Sequence, residues 1–474
     1  MNKLQYLLLM AAFFGLTALI SYFVYKKKGK SALILFYALT GALLRINYCF
    51  YTPHWERQHD VVGFGNEFGQ AAYIEWFYNN FKLPDFDPRD KWGFFQPPLH
   101  HMTAALFMRV QTLFGIGYTK ACENVMLLTC AYSLLMLYFS YRIFKQMKLS
   151  GWPLYIAFAL SAIHPGFILL SGSINNDCLC ELFMVMGLFY AVEWYRKSTV
   201  INIIKIAFCV GLAMFTKLLG AIIAPGIALL FLLKWISGGK KDFLKYLKQF
   251  AVFALISFPL GLFYPVRNFV RFNVPLNFTP EVGEPVGSYS FTQRLFDIKT
   301  ATPFACMIKN GDTYDEYNIF LAMLKTSLFG ETNLSADSVK MVPFAWAALV
   351  TAALLAVFAL LATIYVCIVA IKEKNTEYLF WGTAYIVPVV FMINLCFSAP
   401  YFSSQDFRYI QYVIIVEALF TGLFFKQRGN IKSLNKTGRI YFGVLCIFTA
   451  SVTAVYVLLG AASVEQFSMY LGIY

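Results

Sequence analysis

Long apolar stretches alternate with short polar segments along almost the whole chain. Such stretches are long enough to cross a hydrocarbon core, because about 20 helical residues span roughly 30 Å. They occupy residues 4–25, 31–50, 121–143, 151–171, 177–195, 200–216, 218–236, 249–266, 342–371, 377–398, 409–425 and 440–460. The pattern predicts an all-α polytopic membrane protein with about 12 transmembrane helices, within a range of 11–13.

Basic residues cluster in the short segments between these stretches. The clusters are KKKGK (26–30), RIFKQMK (142–148), YRK (195–197), KKDFLKYLK (240–248), KEK (372–374) and KQRGNIKSLNKTGR (426–439). If the twelve stretches alternate in direction, all six clusters fall on one side of the membrane. Positive charge collects on the cytoplasmic side of membrane proteins, so this side is predicted to be inside.

The same alternation requires residues 99–117 to remain on one side of the bilayer. This segment carries Arg109 and Gln111, which favours an amphipathic helix at the membrane interface. Two longer segments then face outside: residues 51–120, a first outer loop predicted to be catalytic, and residues 267–341, a second outer loop predicted to act as a lid. No internal repeat or linker divides the chain, so residues 1–474 are predicted to form a single membrane domain.

Composition agrees with this class of protein. Hydrophobic residues make up 59% of the chain and charged residues only 14%, which excludes an ordinary soluble domain. The net charge of +14 lies in the clusters between apolar stretches, so it indicates membrane orientation and no nucleic-acid partner. Lysine-rich inner loops, together with no recognisable targeting signal, favour a bacterial plasma membrane.

Two acidic positions on the predicted outer side are candidates for chemistry. Asp60 follows His59 in the first outer loop, and a carboxylate at the membrane surface suits a general base that accepts a hydroxyl proton. Asp177 begins an apolar stretch after SINN, with Glu181 one helical turn later on the same face. A turn-forming aspartate and a helix cap are the respective structural alternatives.

A few cations lie on the predicted outer side, although most basic residues of the chain lie on the predicted inner side. Lys217, Arg267 and Arg408 stand at the outer ends of apolar stretches, and Arg271 follows one turn after Arg267. Snorkelling of long side chains to the interface explains such positions without any function. Beside two acidic sites, however, these cations favour binding of an anionic lipid-attached ligand.

Histidines also gather in the first outer loop. The sequence QPPLHH (96–101) predicts an extended segment leading into a helix, with His100 and His101 at its start. A metal site built from His59, Asp60, His100 and His101 is conceivable. Adjacent histidines rarely share one ion and the spacing matches no usual ligand pattern, so no metal ligand is assigned, and a divalent metal stays a possible cofactor.

Taken together, these segments resemble the GT-C superfamily of membrane glycosyltransferases, and within it the protein-mannosyltransferase and aminoarabinose-transferase clan (family 39-like). The resemblance extends from residue 31 to about residue 425. The matching motifs are LLRI (43–46), HD (59–60), GQAAY (69–73), QPPLHH (96–101), NND (175–177), TK (216–217), VRN (266–268) and RY (408–409).

The resemblance implies an inverting transfer of a sugar from a polyprenyl-phosphate donor to an acceptor hydroxyl at the outer face of the membrane. It implies that Asp60 is the catalytic base and that Asp177 orients a substrate. Lys217, Arg267 and Arg408 would bind the donor phosphate. The substrate-binding positions on this reading are His59, Tyr73, His100, His101, Asn176 and Arg271.

Two departures from the family pattern affect the substrate. Relatives often carry an Asp-Glu pair in the first loop, whereas Asp60 is followed here by Val61, which weakens a metal-assisted variant. No large soluble domain of the kind found in protein-modifying relatives is visible, so a lipid-linked or cell-envelope glycan is the expected acceptor and a protein is less favoured. The alternative function is a transporter or flippase of lipid-linked glycans, although repeats and broken helices typical of transporters are not evident.

Overall fold

A computed structural model describes residues 1–51, 53–54, 62–280, 286–305, 316–330, 339–429 and 432–470, with only the backbone for residues 240, 241, 339 and 465–470. Its α-helices, numbered in chain order, are α1 Lys3–Lys28, α2 Ala32–Tyr51, α3 Gln70–Asn80, α4 Leu99–Leu113, α5 Tyr118–Glu123, α6 Val125–Gln146, α7 Gly151–Ile163, α8 Pro165–Ser171, α9 Asp177–Arg196, α10 Val200–Thr216, α11 Ala224–Phe272, α12 Phe291–Phe296, α13 Ile319–Phe329, α14 Val342–Lys372, α15 Thr376–Ser398, α16 Val413–Arg428 and α17 Lys436–Tyr470.

The predicted all-α polytopic membrane fold is confirmed, and each predicted span lies on helical residues. Among the described residues, 8 helical stretches are long and apolar enough to cross a membrane, or up to 9 if the bent pair α7–α8 is one span. Two further predicted spans lie on α10 and α16, which have 17 and 16 residues. The count of twelve stays a prediction.

The first long apolar stretch, Lys3–Tyr51, is a hairpin of two helices. The chain reverses at Gly29, whose φ of 59° suits a residue without a Cβ atom. The hydroxyl of Tyr6, near the start of α1, donates a 2.7 Å hydrogen bond to Oδ1 of Asn47, near the end of α2. These helices therefore run antiparallel and supply two of the predicted spans.

Several basic segments meet at one end of the helical bundle. Arg196 at the end of α9 donates a 2.8 Å hydrogen bond to the carbonyl of Gln146 and forms an ion pair of 2.6 Å with Glu377. Lys426 at the end of α16 donates to the carbonyl of Met147 at 3.2 Å. Three of the predicted basic clusters thus share one end of the bundle, as the predicted alternation requires.

The bent pair α7–α8 directs the chain into the segment before α9. The helix axes differ by 44° at the break between Ile163 and Pro165. Pro165 has no backbone N–H to continue the helical pattern. The buried guanidinium of Arg45 donates to the carbonyl of Ala162 at 2.7 Å and to Ser133 Oγ at 2.9 Å, which gives a buried carbonyl near the break a hydrogen-bond donor.

The outer loops contain more structure than their sequences predict. Helix α4 agrees with the predicted amphipathic helix, and its exposed apolar side chains include Met102, Leu106, Val110 and Leu113. Its location at the membrane interface stays a prediction. The second outer loop contains α12 and α13, neither of which was predicted. Between α15 and α16 the chain forms two 3-10 turns, Phe402–Gln405 and Phe407–Ile410.

Candidate active site

An acidic and a basic side chain form an ion pair where the ends of two neighbouring helices lie side by side. Asp177 begins α9, and Lys217 follows the last residue of α10, which packs antiparallel against α9. The ammonium group of Lys217 forms an ion pair with Oδ1 of Asp177. Side-chain exposure is 4% for Asp177 and 14% for Lys217, so the lysine is the more accessible partner.

A second cation reaches the same carboxylate from the turn before α16. Nη1 of Arg408 lies 3.6 Å from Oδ2 of Asp177, and its Nε lies 2.8 Å from Oδ2 of Asp406. The ring of Tyr409 lies beneath both cations, 4.8 Å from Lys217 Nζ and 5.2 Å from the Arg408 guanidinium carbon. Two carboxylates and two cations therefore form one compact cluster, hereafter the charge cluster, with formal charges that cancel.

The first outer loop supports the turn that carries Asp177. Nδ2 of Asn176 donates to the carbonyl of Thr216 at 2.9 Å and lies 3.4 Å from Gln96 Oε1. Nε2 of His100 lies 2.8 Å from the carbonyl oxygen of Ile174, so this nitrogen carries the proton. Burial lowers the pKa of His100 to about 4, which keeps the ring neutral near pH 7.

A cavity lies beside the charge cluster, with about 410 Å³ of open space when the solvent at its mouth is included. Its polar wall includes Asn175, Asp406, Arg408 and Gln411, and its remaining lining is Gly166, Leu169, Leu170, Ser173, Thr326 and Gly330. A mixed polar and apolar lining with a cation at its wall suits an anionic group attached to an apolar tail.

Tyr73 and His101 lie in an aromatic cluster within the first outer loop. The Tyr73 hydroxyl is 3.0 Å from that of Tyr264, and the Tyr73 ring packs at a tilt against that of His101, with ring centroids 4.3 Å apart. Nε2 of His101 lies 2.5 Å from Oε1 of Gln70. Both side chains are fully buried, and burial moves the pKa of Tyr73 well above and that of His101 well below the usual value. In this arrangement the packed rings of Tyr73 and His101 stabilise the loop.

Arg267 and Arg271 lie outside the charge cluster. Arg267 donates to the carbonyl of Pro84 in the first outer loop and, at 2.8 Å, to Oδ1 of Asn268. Arg271 is exposed beside the ring of Phe272. No hydrogen bond or ion pair within the described ranges joins Arg267 to the cluster. Leu218 and Asn268, which follow Lys217 and Arg267 in the sequence, line part of a cleft. Its open space is about 290 Å³ when the solvent at its mouth is included.

The predicted catalytic base Asp60 and its neighbour His59 lie outside the described residues, and their roles stay predictions. Across the part of the chain that the structure describes, no three histidine, cysteine or acidic side chains are grouped so that they could hold a metal ion.

Sequence reasoning missed Asp406 and Gln411. Asp406 is buried, accepts a 3.0 Å hydrogen bond from the Arg408 amide and pairs with the Arg408 side chain. Gln411 Nε2 lies 3.2 Å from Nδ1 of His164, which connects the turn before α16 to the bend between α7 and α8. The sequence QDFRY offered a signal, since an acid two residues before a cation on an apolar stretch suggests a pair.

Two further acids lie within the helices. Glu181 is buried one turn after Asp177, as expected from its position on the same helix face. Glu417 accepts a 3.2 Å hydrogen bond from the hydroxyl of Tyr385, away from the charge cluster's described contacts. This contact indicates that Glu417 is a paired structural group.

The helices define a polytopic membrane protein whose fold is similar to that of a solved membrane oligosaccharyltransferase. The archaeal oligosaccharyltransferase AglB from Archaeoglobus fulgidus, solved in complex with an inhibitory peptide and a dolichol-phosphate, matches with a TM-score of 0.51 and 15% sequence identity. The match covers 93% of this chain and 56% of AglB, so this chain spans little more than half of AglB.

ArnT from Cupriavidus metallidurans, solved bound to undecaprenyl phosphate, matches with a TM-score of 0.47 and 13% identity. That match covers 90% of this chain and 77% of ArnT. No protein-family model matches the sequence. No curated protein matches it in sequence either. At these identities the AglB likeness shows a shared fold, and the function has to be argued from the site.

Proposed function

We propose that this protein is an inverting glycosyltransferase that moves a sugar from a polyprenyl-phosphate donor to an acceptor hydroxyl. The proposed acceptor is a lipid-linked or cell-envelope glycan, and the proposed site faces the outside of a bacterial plasma membrane. The observation that carries the proposal is the convergence of Lys217 and Arg408 on one buried carboxylate, beside a cavity with a mixed polar and apolar lining.

A phosphate at this position would replace carboxylates as the partner of the two cations. Lysine and arginine both bind phosphate oxygens, and charge-assisted hydrogen bonds of this kind are stronger than neutral ones. Leu169 and Leu170 in the cavity wall are suited to the isoprenoid next to the phosphate. The dolichol-phosphate bound by AglB supports a donor of this chemical class.

In the proposed reaction the acceptor oxygen attacks the anomeric carbon of the donor sugar. The bond from that carbon to the phosphate oxygen breaks, and the polyprenyl phosphate leaves with the electron pair. The acceptor proton passes to the carboxylate of Asp60. Lys217 and Arg408 stabilise the negative charge that develops on the leaving phosphate, which is the step where fixed cations contribute most.

Asp177 is proposed to orient the reactants. Its carboxylate holds Lys217 and Arg408 in place, and Asn176 and His100 fix the turn that carries it. Arg267 is proposed to contribute to phosphate binding from the adjoining cleft, which would require it to leave the carbonyl of Pro84.

The experiment is a transfer assay with purified protein and a panel of isoprenoid-linked monosaccharides, followed by mass spectrometry of lipid products. We expect release of the free polyprenyl phosphate from at least one donor. Lys217→Gln and Arg408→Gln should each lower kcat/KM by roughly 100-fold, the usual size of one lost electrostatic contact to a developing charge. Lys299→Gln, which removes an exposed lysine of the second outer loop, serves as the control.

Asp60→Asn separates transfer from transport. A transferase loses turnover but still binds the lipid donor, because the general base acts after binding. A flippase would move lipid-linked glycan across proteoliposomes without consuming it, and Asp60→Asn would leave that movement intact. Translocation without any bond cleavage would contradict the proposed function.

A further inference from the structure

The segment that carries Arg408 has little regular structure of its own. Residues 402–410 form two short 3-10 turns, Phe402–Gln405 and Phe407–Ile410, with Asp406 between them. Such turns have poorer hydrogen-bond geometry than an α-helix, so their position depends on neighbouring elements. Arg408 is nevertheless held within ion-pair distance of both Asp177 and Asp406.

The second outer loop provides the contacts that hold this segment. Nε2 of Gln405 donates a 2.7 Å hydrogen bond to the backbone carbonyl of Glu316. The amide of Phe407 donates a 3.0 Å hydrogen bond to Oγ1 of Thr326 in α13. Arg294 in α12 donates to Oε1 of Gln405 at 3.1 Å. All three bonds thus hold the residues immediately before and after Asp406, two of them at Gln405 and one at Phe407.

A buried ion pair connects the two acceptors that hold Gln405 and Phe407. The side chain of Lys325, next to Thr326, pairs with the carboxylate of Glu316, whose backbone carbonyl accepts from Gln405. Both side chains are completely inaccessible to solvent. Because burial of two charges costs about as much as their attraction returns, such a pair adds little stability and is better explained by the arrangement it fixes.

We propose that Glu316 and Lys325 are positioning residues that hold Arg408 in the orientation required to bind the donor phosphate. The ion pair fixes the spacing between the Glu316 carbonyl and the Thr326 hydroxyl, and these two acceptors fix the backbone on both sides of Asp406. The Glu316–Lys325 pair, which does not line the cavity, therefore controls the affinity for lipid phosphate through Arg408. This inference rests on the proposed function of the same site.

The test removes both charges together, so that no unpaired charge remains buried. The double variant Glu316→Gln/Lys325→Met should fold, because neutral replacements of a buried ion pair are often tolerated. Size-exclusion chromatography and a separate thermal-unfolding measurement check that the double variant is folded. Binding of undecaprenyl phosphate to the full chain in detergent is then measured, and we expect the Kd to rise about tenfold.

A double-mutant cycle with Arg408→Gln separates positioning from general loosening of the fold. If the ion pair acts through Arg408, the double variant should change the Kd less than about twofold in the Arg408→Gln background. Lys299→Met, which breaks an exposed ion pair with Asp297 in the same loop, should leave the Kd unchanged. Gln405→Met, which removes the link between the segment and the loop, provides a second route if the double variant does not fold.

The possible outcomes have different consequences. The positioning role is overturned if the folded double variant binds undecaprenyl phosphate with the same Kd as the wild-type protein. If the double variant does not fold, an unchanged Kd for Gln405→Met has the same consequence. Either result leaves the proposed function intact. An equal loss of affinity with and without Arg408 also overturns it, because the effect would then not pass through Arg408. Wild-type protein that neither binds undecaprenyl phosphate nor consumes any lipid-linked sugar removes the proposed function, and the positioning role with it.

Discussion

At the scale of single residues, the two cations of the charge cluster are already paired with its two carboxylates. Lys217 and Arg408 are both engaged by Asp177, and Arg408 is also engaged by Asp406. An arriving phosphate competes with these acids for the same cations. The carboxylates therefore lower the affinity for lipid phosphate while they keep the cations aimed at the site.

This competition predicts the direction in which an Asp177→Asn substitution changes the affinity for lipid phosphate. Loss of the negative charge should tighten binding of undecaprenyl phosphate about tenfold, because the phosphate no longer competes for Lys217 and Arg408. Turnover should fall at least tenfold, since Asp177 orients the reactants. Equilibrium binding and steady-state kinetics on the same preparation measure the two effects.

The matched control for this variant is Glu377→Gln, which removes a carboxylate paired with Arg196 at the opposite end of the bundle. It should leave the affinity for lipid phosphate unchanged. Weaker phosphate binding by Asp177→Asn would contradict the competition and indicate that Asp177 mainly keeps the two cations in place.

At the scale of elements, His100 connects α4 to the turn before α9. Its ring is neutral because burial lowers its pKa to about 4, whereas an unfolded histidine titrates near 6.5. The unfolded chain therefore binds more protons between these values. The stabilising effect of the neutral ring is complete above pH 6.5 and is lost as the pH falls towards 4.

We therefore expect acidification to pH 5 to cost the wild-type protein about 2 kcal/mol through His100. His100→Gln keeps an amide donor for the Ile174 carbonyl but cannot be protonated in this range. Its deficit in thermal unfolding temperature relative to wild type should shrink between pH 7 and pH 5. A constant deficit across this range would show that His100 does not titrate on unfolding.

The sequence predicted the long helices well and the short outer elements poorly. Apolar length determines where a span can begin and end, so the stretches starting at Asp177 and ending before Lys217 were found from local composition alone. Helix α13 and the turns at 402–410 depend on distant partners such as Gln405 with Glu316, which have no local signature. The common location of Lys217 and Arg408 followed from helix alternation, whereas the orientation of Arg267 towards Pro84 did not.

At the scale of the whole molecule, the charge cluster and the basic helix ends lie at opposite ends of the bundle. Helix α9 makes this visible, since it begins at Asp177 and ends at Arg196. Its first residue belongs to the charge cluster, and its last pairs with Glu377. If basic ends face the cytoplasm, the proposed site faces outside.

Labelling in intact cells tests this orientation. Lys299→Cys in the second outer loop should react with a membrane-impermeant maleimide, whereas Lys374→Cys, beside the basic end of α14, should react only after permeabilisation. Both lysines are exposed in the structure, so accessibility within the fold does not limit either reaction. The reverse pattern would place the charge cluster in the cytoplasm and contradict the proposed outer site.

The measurement that tests the central claim most directly is a cryo-electron microscopy structure of the protein in nanodiscs with undecaprenyl phosphate. The account predicts phosphate density within hydrogen-bonding distance of Lys217 Nζ and the Arg408 guanidinium, with the isoprenoid leading along the apolar wall at Leu169 and Leu170. Phosphate bound elsewhere, with Lys217 and Arg408 still paired to Asp177, would contradict it.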